Sequence, residues 1–127
     1  MHSDEVLHYE SAVRKESALF PGVSYSIHRM SFGRRSELLR HIREISGKRE
    51  YLLAGQDLKD KIEASLAGSE IDAMYLRWGL REISGLLIDG EPAGCDSLLE
   101  RGPESLVKEI LGAIRSECGL NQEELKN

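Results

Sequence analysis

Four histidines, two cysteines, a scatter of serines and 22 acidic side chains are the groups of this 127-residue chain that could perform chemistry. Their spacing assembles no recognisable reaction centre. A bound metal needs donors that repeat on one helix face or across a tight turn, as in H-x3-H, HExxH or CxxC. His2, His8, His28 and His41 share no such pattern, and Cys95 and Cys118 stand far apart without a neighbouring histidine. Both cysteines therefore read as reduced thiols. A serine nucleophile wants a strained GxSxG-type turn and a histidine base; Ser84, in Ile83-Ser84-Gly85, and Ser97 have neither. Glu63, Asp72, Glu82, Glu100 and Glu109 fall on wet helix faces or near helix starts, where a structural role outweighs acid–base work. The 12 glycines form neither GxGxxG nor a P-loop. No catalytic residue, cofactor or metal ligand is expected.

Binding chemistry has more to work with. Arg34, Arg35, Arg40, Arg43, Lys48 and Arg49 crowd one stretch, with only Glu37, Glu44 and Glu50 interleaved. Guanidinium groups suit phosphate or an acidic protein segment, but a charge run on an amphipathic helix is usually a solvated outer face, and that reading stands ahead. A helix-turn-helix reading meets Asp57, Asp60 and Glu63 where a recognition helix would carry basic or amide side chains. Trp78, the sole tryptophan, with Tyr75 a turn before it, has the character of an aromatic anchor. A lone tryptophan on a helix apolar all round is more often a core residue.

The elements that must position these groups follow from periodicity. Residues 1–15 show no clean period and read as a loose arm or irregular edge strand. Val23, Tyr25 and Ile27 alternate with Ser24, Ser26 and His28, which predicts a half-buried strand. Pro21-Gly22 predicts the turn before it, with Ala18 to Phe20 pairing back in a wide or bulged hairpin. Ser31 caps a first helix carrying Leu38, Leu39, Ile42 and Ile45 and ending at Gly47. A second helix starts near Arg49, with Tyr51, Leu52, Leu58, Ile62 and Leu66 as its apolar stripe and Gly68 as its end. On its wet side Asp57 with Lys61, and Lys59 with Glu63, are spaced as i,i+4 pairs. A third, central helix runs from Glu70 to about Ser84, apolar in nearly every direction.

Leu86 to Ile88 and the Asp89-Gly90 turn predict a short extended piece that could join the N-terminal hairpin. Asp96 caps a turn of helix through Leu98 to Arg101. Pro103 opens a last helix with Leu106, Val107, Ile110, Leu111, Ile114 and Cys118 on one face, stopped by Gly119. The polar tail Asn121 to Asn127 has too little apolar area to be held down.

The prediction is one α+β domain, mainly helical with four or five helices and an N-terminal β-hairpin. It divides as a loose arm over 1–15, a single globular domain over 16–118 and a flexible tail over 119–127. With 40% hydrophobic residues the chain can bury one core without disulfides or metal. Its net charge of −5 disfavours bulk attraction to nucleic acid or anionic membrane. No apolar run approaches a membrane span, and the N-terminal residues are acidic where a signal peptide would be basic and then apolar. A cytosolic location is expected.

The order of features from Gly85 to Asn127 is a short apolar run with an Asp89-Gly90 turn, a Pro103-initiated amphipathic helix and a glycine-broken polar tail ending in Lys126-Asn127. That layout resembles the small tail assembly chaperones of long-tailed bacteriophages, over about the last two thirds of the chain. The resemblance implies a non-enzymatic protein of the bacterial host cytoplasm. Such a protein binds the tape measure protein, a long helical chain with apolar stripes, and keeps it soluble until tail tube subunits polymerise around it. The tail tube protein as a second partner, and homo-oligomerisation, stay open; no membrane or nucleic-acid partner is expected. Such chaperones are often extended by ribosomal frameshifting, and Lys126-Asn127 can be encoded by AAA-AAC, the end of a slippery heptamer. The side chains nominated for partner contact are Arg34, Arg35, Arg40, Arg43, Tyr75, Trp78, Leu106, Ile110, Leu111 and Ile114. The rival readings are a virion structural tail component and a nucleic-acid-binding regulator using the Arg34 to Arg49 patch.

Overall fold

The computed structural model describes residues 5–55 and 57–119. The chain runs β1 (Ala12–Glu16), β2 (Ser24–His28), α1 (Phe32–Leu53), α2 (Leu58–Gly79), β3 (Leu80–Ser84), β4 (Leu87–Ile88), β5 (Glu91–Pro92), α3 (Cys95–Arg101) and α4 (Glu104–Cys118). Among the described residues this is the α+β fold of the prediction, four helices with an antiparallel sheet in the order β1-β2-β3. The arm keeps no regular structure over 5–11, but its last residues enter β1. The tail from residue 120 onward lies outside the described residues.

The hairpin forms where alternation placed it, with a different first strand. Phe20-Pro21-Gly22-Val23 is a turn closed by Val23 N–H donating to Phe20 O at 3.1 Å, with Gly22 at φ 88°. That positive angle is why glycine follows proline here. A wider closure, Ser17 N–H to Val23 O at 2.9 Å, leaves Ala18 to Phe20 inside the loop, so the pairing strand is Ala12–Glu16. Its register sets Val13 opposite Ile27 and Lys15 opposite Tyr25.

The helix boundaries are the main correction. Gly47 and Gly68 end nothing: α1 and α2 each run 22 residues straight through them, about 33 Å apiece. Glycine inside a helix costs about 1 kcal/mol against alanine, which neighbouring turns and tertiary contacts override. At Gly68 the missing side chain makes room, since a Cβ there would lie 3.2 Å from Arg49 Nε. Ser31 is the cap expected, accepting from Arg34 N–H at 3.2 Å.

The central helix also ends earlier than predicted, because Leu80–Ser84 leaves it to become the third strand. Register explains the misreading. Ser26 faces Glu82 but Ile27 faces Leu80, so a bulge skips Arg81 and turns Leu80 and Ile83 to one face despite their odd spacing of three. Spacing of three is what a helix stripe looks like in sequence.

β4 and β5 form their own hairpin about Asp89 (φ 52°) and Gly90 (φ 83°) instead of joining the main sheet. α3 is capped by Gly94 and Ser97, not Asp96: Ser97 Oγ accepts from Gly94 N–H at 2.9 Å and donates to Gly94 O at 3.1 Å. α4 ends at Gly119 in the left-handed conformation, φ 63°. The core gathers Val23, Tyr25 and Ile27 of β2, Leu38 and Ile42 of α1, Tyr75 and Leu76 of α2, and the stripe of α4. Leu52, Ala64 and Ala67 are buried outside that cluster, farther along the α1–α2 hairpin.

Candidate functional site

The basic run does not survive folding as a patch. Arg34 donates from Nη2 to the Trp78 carbonyl and lays its guanidinium over the Trp78 ring, 4.2 Å from its centre. Arg35 donates from Nη2 to the Cys118 carbonyl at 2.9 Å. Both carbonyls belong to the last turns of helices, α2 and α4, where unpaired oxygens and the negative dipole end attract a cation. Arg49 is half-buried beside Gly68. What stays exposed is Arg40, Arg43 and Lys48, interleaved with exposed Glu37, Glu44 and Glu50. Three positive against three negative charges make a mixed, solvated face.

The aromatic pair and the C-terminal stripe are interior. Tyr75 is buried, with the Arg115 guanidinium 4.9 Å from its ring centre and Arg115 paired in turn to Asp72. Trp78 is half-buried against the core, its Nε1 lacking a partner. Leu106, Ile110, Leu111 and Ile114 are all buried against their own domain, Ile114 so closely that Gly79 has no space for a side chain. Of the ten nominated residues, Arg40 and Arg43 alone are exposed, and they lie on the mixed face.

The polar interior is a set of clasps. Glu109, taken from sequence as a wet-face acid, accepts from Ser17 Oγ at 3.0 Å, Leu19 N–H at 3.2 Å and Tyr25 Oη at 3.2 Å, tying the first hairpin loop to α4. Burial, and then the adjacent Glu109 carboxylate, push the Tyr25 phenol up to about 12. Arg14 Nη2 donates to Ser24 Oγ at 2.7 Å, and Ser24 Oγ meets Ser84 Oγ at 2.9 Å, linking all three strands. His28 is half-buried; burial first, then the guanidiniums of Arg34 and Arg81, lower its pKa. Burial raises the thiol pKa of both cysteines, Cys118 to about 11, so neither is an activated nucleophile. Among the described residues no His, Cys, Asp and Glu group is placed to hold a metal ion, and no helix is long and apolar enough to cross a membrane.

The surface feature that periodicity missed is the second predicted stripe. Leu52 alone of its five members is buried; Tyr51 is 80%, Leu58 73%, Ile62 53% and Leu66 58% exposed. α2 carries two rival faces over this stretch. The small Ala64 and Ala67 are buried, and Leu58, Ile62 and Leu66, about half a turn round the axis, point outward. Ranking faces by side-chain size chooses the wrong one. The sign legible in sequence is Ala64, Ala67 and Gly68 in one short stretch, small residues that let two helices approach closely. No match to this chain is found among protein-family models, curated proteins or solved structures.

Proposed function

We propose that this chain is a tail assembly chaperone of the long-tailed bacteriophage type. In that role it binds the tape measure protein without enzymatic chemistry and keeps it soluble during tail assembly. The observation that carries the proposal is the uncovered row Leu58, Ile62 and Leu66 on the second helix of a helical hairpin. An exposed apolar stripe in register over several turns marks a site for another polypeptide, and a helix laid along it is the economical occupant. A net charge of −5 would keep such a complex dispersed. The site has moved from the C-terminal stripe, which is consumed by the core, to the outer face of α2. Support for a nucleic-acid role shrinks correspondingly, since Arg34 and Arg35 are engaged by carbonyls at two helix ends.

Co-expression with a tape measure protein encoded beside it is the direct test. The expected result is a soluble complex with the chaperone, an insoluble tape measure protein without it, and no chaperone in purified particles. A tape measure protein that stays insoluble in its presence refutes the role. Stoichiometric retention in particles would make the chain a structural tail component instead.

A further inference from the structure

The first strand leaves one side of the main sheet open. In the order β1-β2-β3, β1 lies at an edge. Arg29 N–H to Ser11 O at 2.8 Å and Ser17 N–H to Val23 O at 2.9 Å bracket its pairing with β2, which puts the inward-bonding backbone at the odd-numbered residues. The N–H and C=O groups of Ala12, Arg14 and Glu16 therefore point outward, and among the described residues nothing meets them. Just before β1 the arm carries Val6 at 67%, Leu7 at 89% and Tyr9 at 66% exposure. An open edge beside uncovered apolar side chains is a template for another strand.

We infer that this edge, arm and β1 together, pairs antiparallel with the same edge of a second copy about a two-fold axis at Ala12. Charge selects both the occupant and the register, because like charges directly opposite destabilise a strand pair. An axis at Glu10, Arg14, Lys15 or Glu16 sets that side chain against itself, and one at Val13 sets Glu10 against Glu16. An axis at Ser11 faces Arg14 with His8 and Lys15 with Leu7, so no opposite charges meet. At Ala12 the small side chain sits on the axis, Glu10 faces the mate's Arg14 and His8 faces the mate's Glu16, each twice. Tyr9 then stands opposite the mate's Lys15 and diagonal to its Val13, whose face packs on the core. Residues 5–11 have no regular structure in the single chain, which bends at Ser11, so pairing has to straighten and order the arm. That cost sets a weak dimer, with a dissociation constant of about 10–100 μM. The inference stands apart from the chaperone reading.

Sedimentation equilibrium of the full chain should show a dimer that grows with concentration. Ala12→Pro removes an outward N–H at the axis and none of the bonds to β2, so it should abolish the dimer while leaving the circular dichroism melt of the dilute chain unchanged. Glu10→Lys should weaken association by about ten-fold, and adding Arg14→Glu should restore it by exchanging the two charges. Register is read by cross-linking in a Cys95→Ser background, where the remaining Cys118 is buried. Ala12→Cys should form an intermolecular disulfide under mild oxidation, since residues facing each other across such a pair lie about 5.5 Å apart between Cα atoms. Glu16→Cys should not, because its mate lies about 27 Å away at that register. A monomer at every concentration to about 100 μM overturns the inference. So does a dimer indifferent to Ala12→Pro, or one that cross-links as readily through Glu16→Cys as through Ala12→Cys. A dimer that Ile62→Glu dissolves and Ala12→Pro spares would place the interface on α2 instead. None of these outcomes alters whether the tape measure protein is solubilised, so the two readings fail separately.

Discussion

Glu109 accepts from a serine hydroxyl, a backbone amide and a tyrosine hydroxyl, so one carboxylate of α4 holds the loop between the first two strands in place. Tyr25→Phe removes one of the three donors without altering the ring packing, and should lower stability by about 1 kcal/mol in urea denaturation at neutral pH. The same change has a pH signature. The folded chain holds the Tyr25 proton up to about 12 where the free side chain loses it near 10, so its contribution is complete below 10 and disappears as pH climbs through 12. Tyr25→Phe should therefore flatten part of the alkaline decline over that window; Cys118, whose thiol is pushed up to about 11, accounts for another part. His28 acts at the other end. Its pKa is lowered from 6.5, so the stability tied to its neutral form is present above 6.5 and falls as pH drops through the folded value. A His28→Gln chain should show a shallower acid loss in thermal melts between pH 7 and 5, and an unchanged slope would exclude His28 as its source.

At the level of elements, what could be read depended on whether local pattern and tertiary demand agreed. β2, the Pro21-Gly22 turn, the Ser31 cap and the Gly119 stop were legible because alternation, turn chemistry and capping all act within a few residues. β3 was not, because a bulge opposite Ser26 and Ile27 gives it the i,i+3 spacing of a helix, and only the neighbouring strand reveals the difference. Glycine misled for a related reason. Gly119 takes a positive φ and ends its helix, whereas Gly47 keeps a helical backbone and only weakens it. Two substitutions separate these uses. A Cβ at Gly47 meets nothing within 4 Å, so Gly47→Ala should stabilise the chain by about 0.5–1 kcal/mol. A Cβ at Gly79 would lie 2.6 Å from Ile114 Cγ2, so Gly79→Ala should destabilise it by about 1–3 kcal/mol despite alanine's better helix propensity. Chemical denaturation of the pair checks both signs, and opposite shifts are the expected result.

Over the whole molecule, burial is unevenly distributed. The sheet, α4 and the ends of α1 and α2 nearest them share one core, from Val23 and Ile27 through Leu38 and Ile42 to Ile110 and Ile114. Farther out, the helical hairpin is held by Leu52, Ala64 and Ala67, which bury little area, while Tyr51, Leu58, Ile62 and Leu66 remain wet. The candidate site was hidden in sequence by this imbalance, since the residues that looked most like core lie where no core reaches them. A part held by so few apolar contacts opens at lower free energy than the global unfolding. Native-state hydrogen exchange should find amides from about Lys48 to Leu66 exchanging well before those of Tyr75, Leu76 and Ile110. Uniform protection along α1 and α2 would show that the hairpin is as firm as the core.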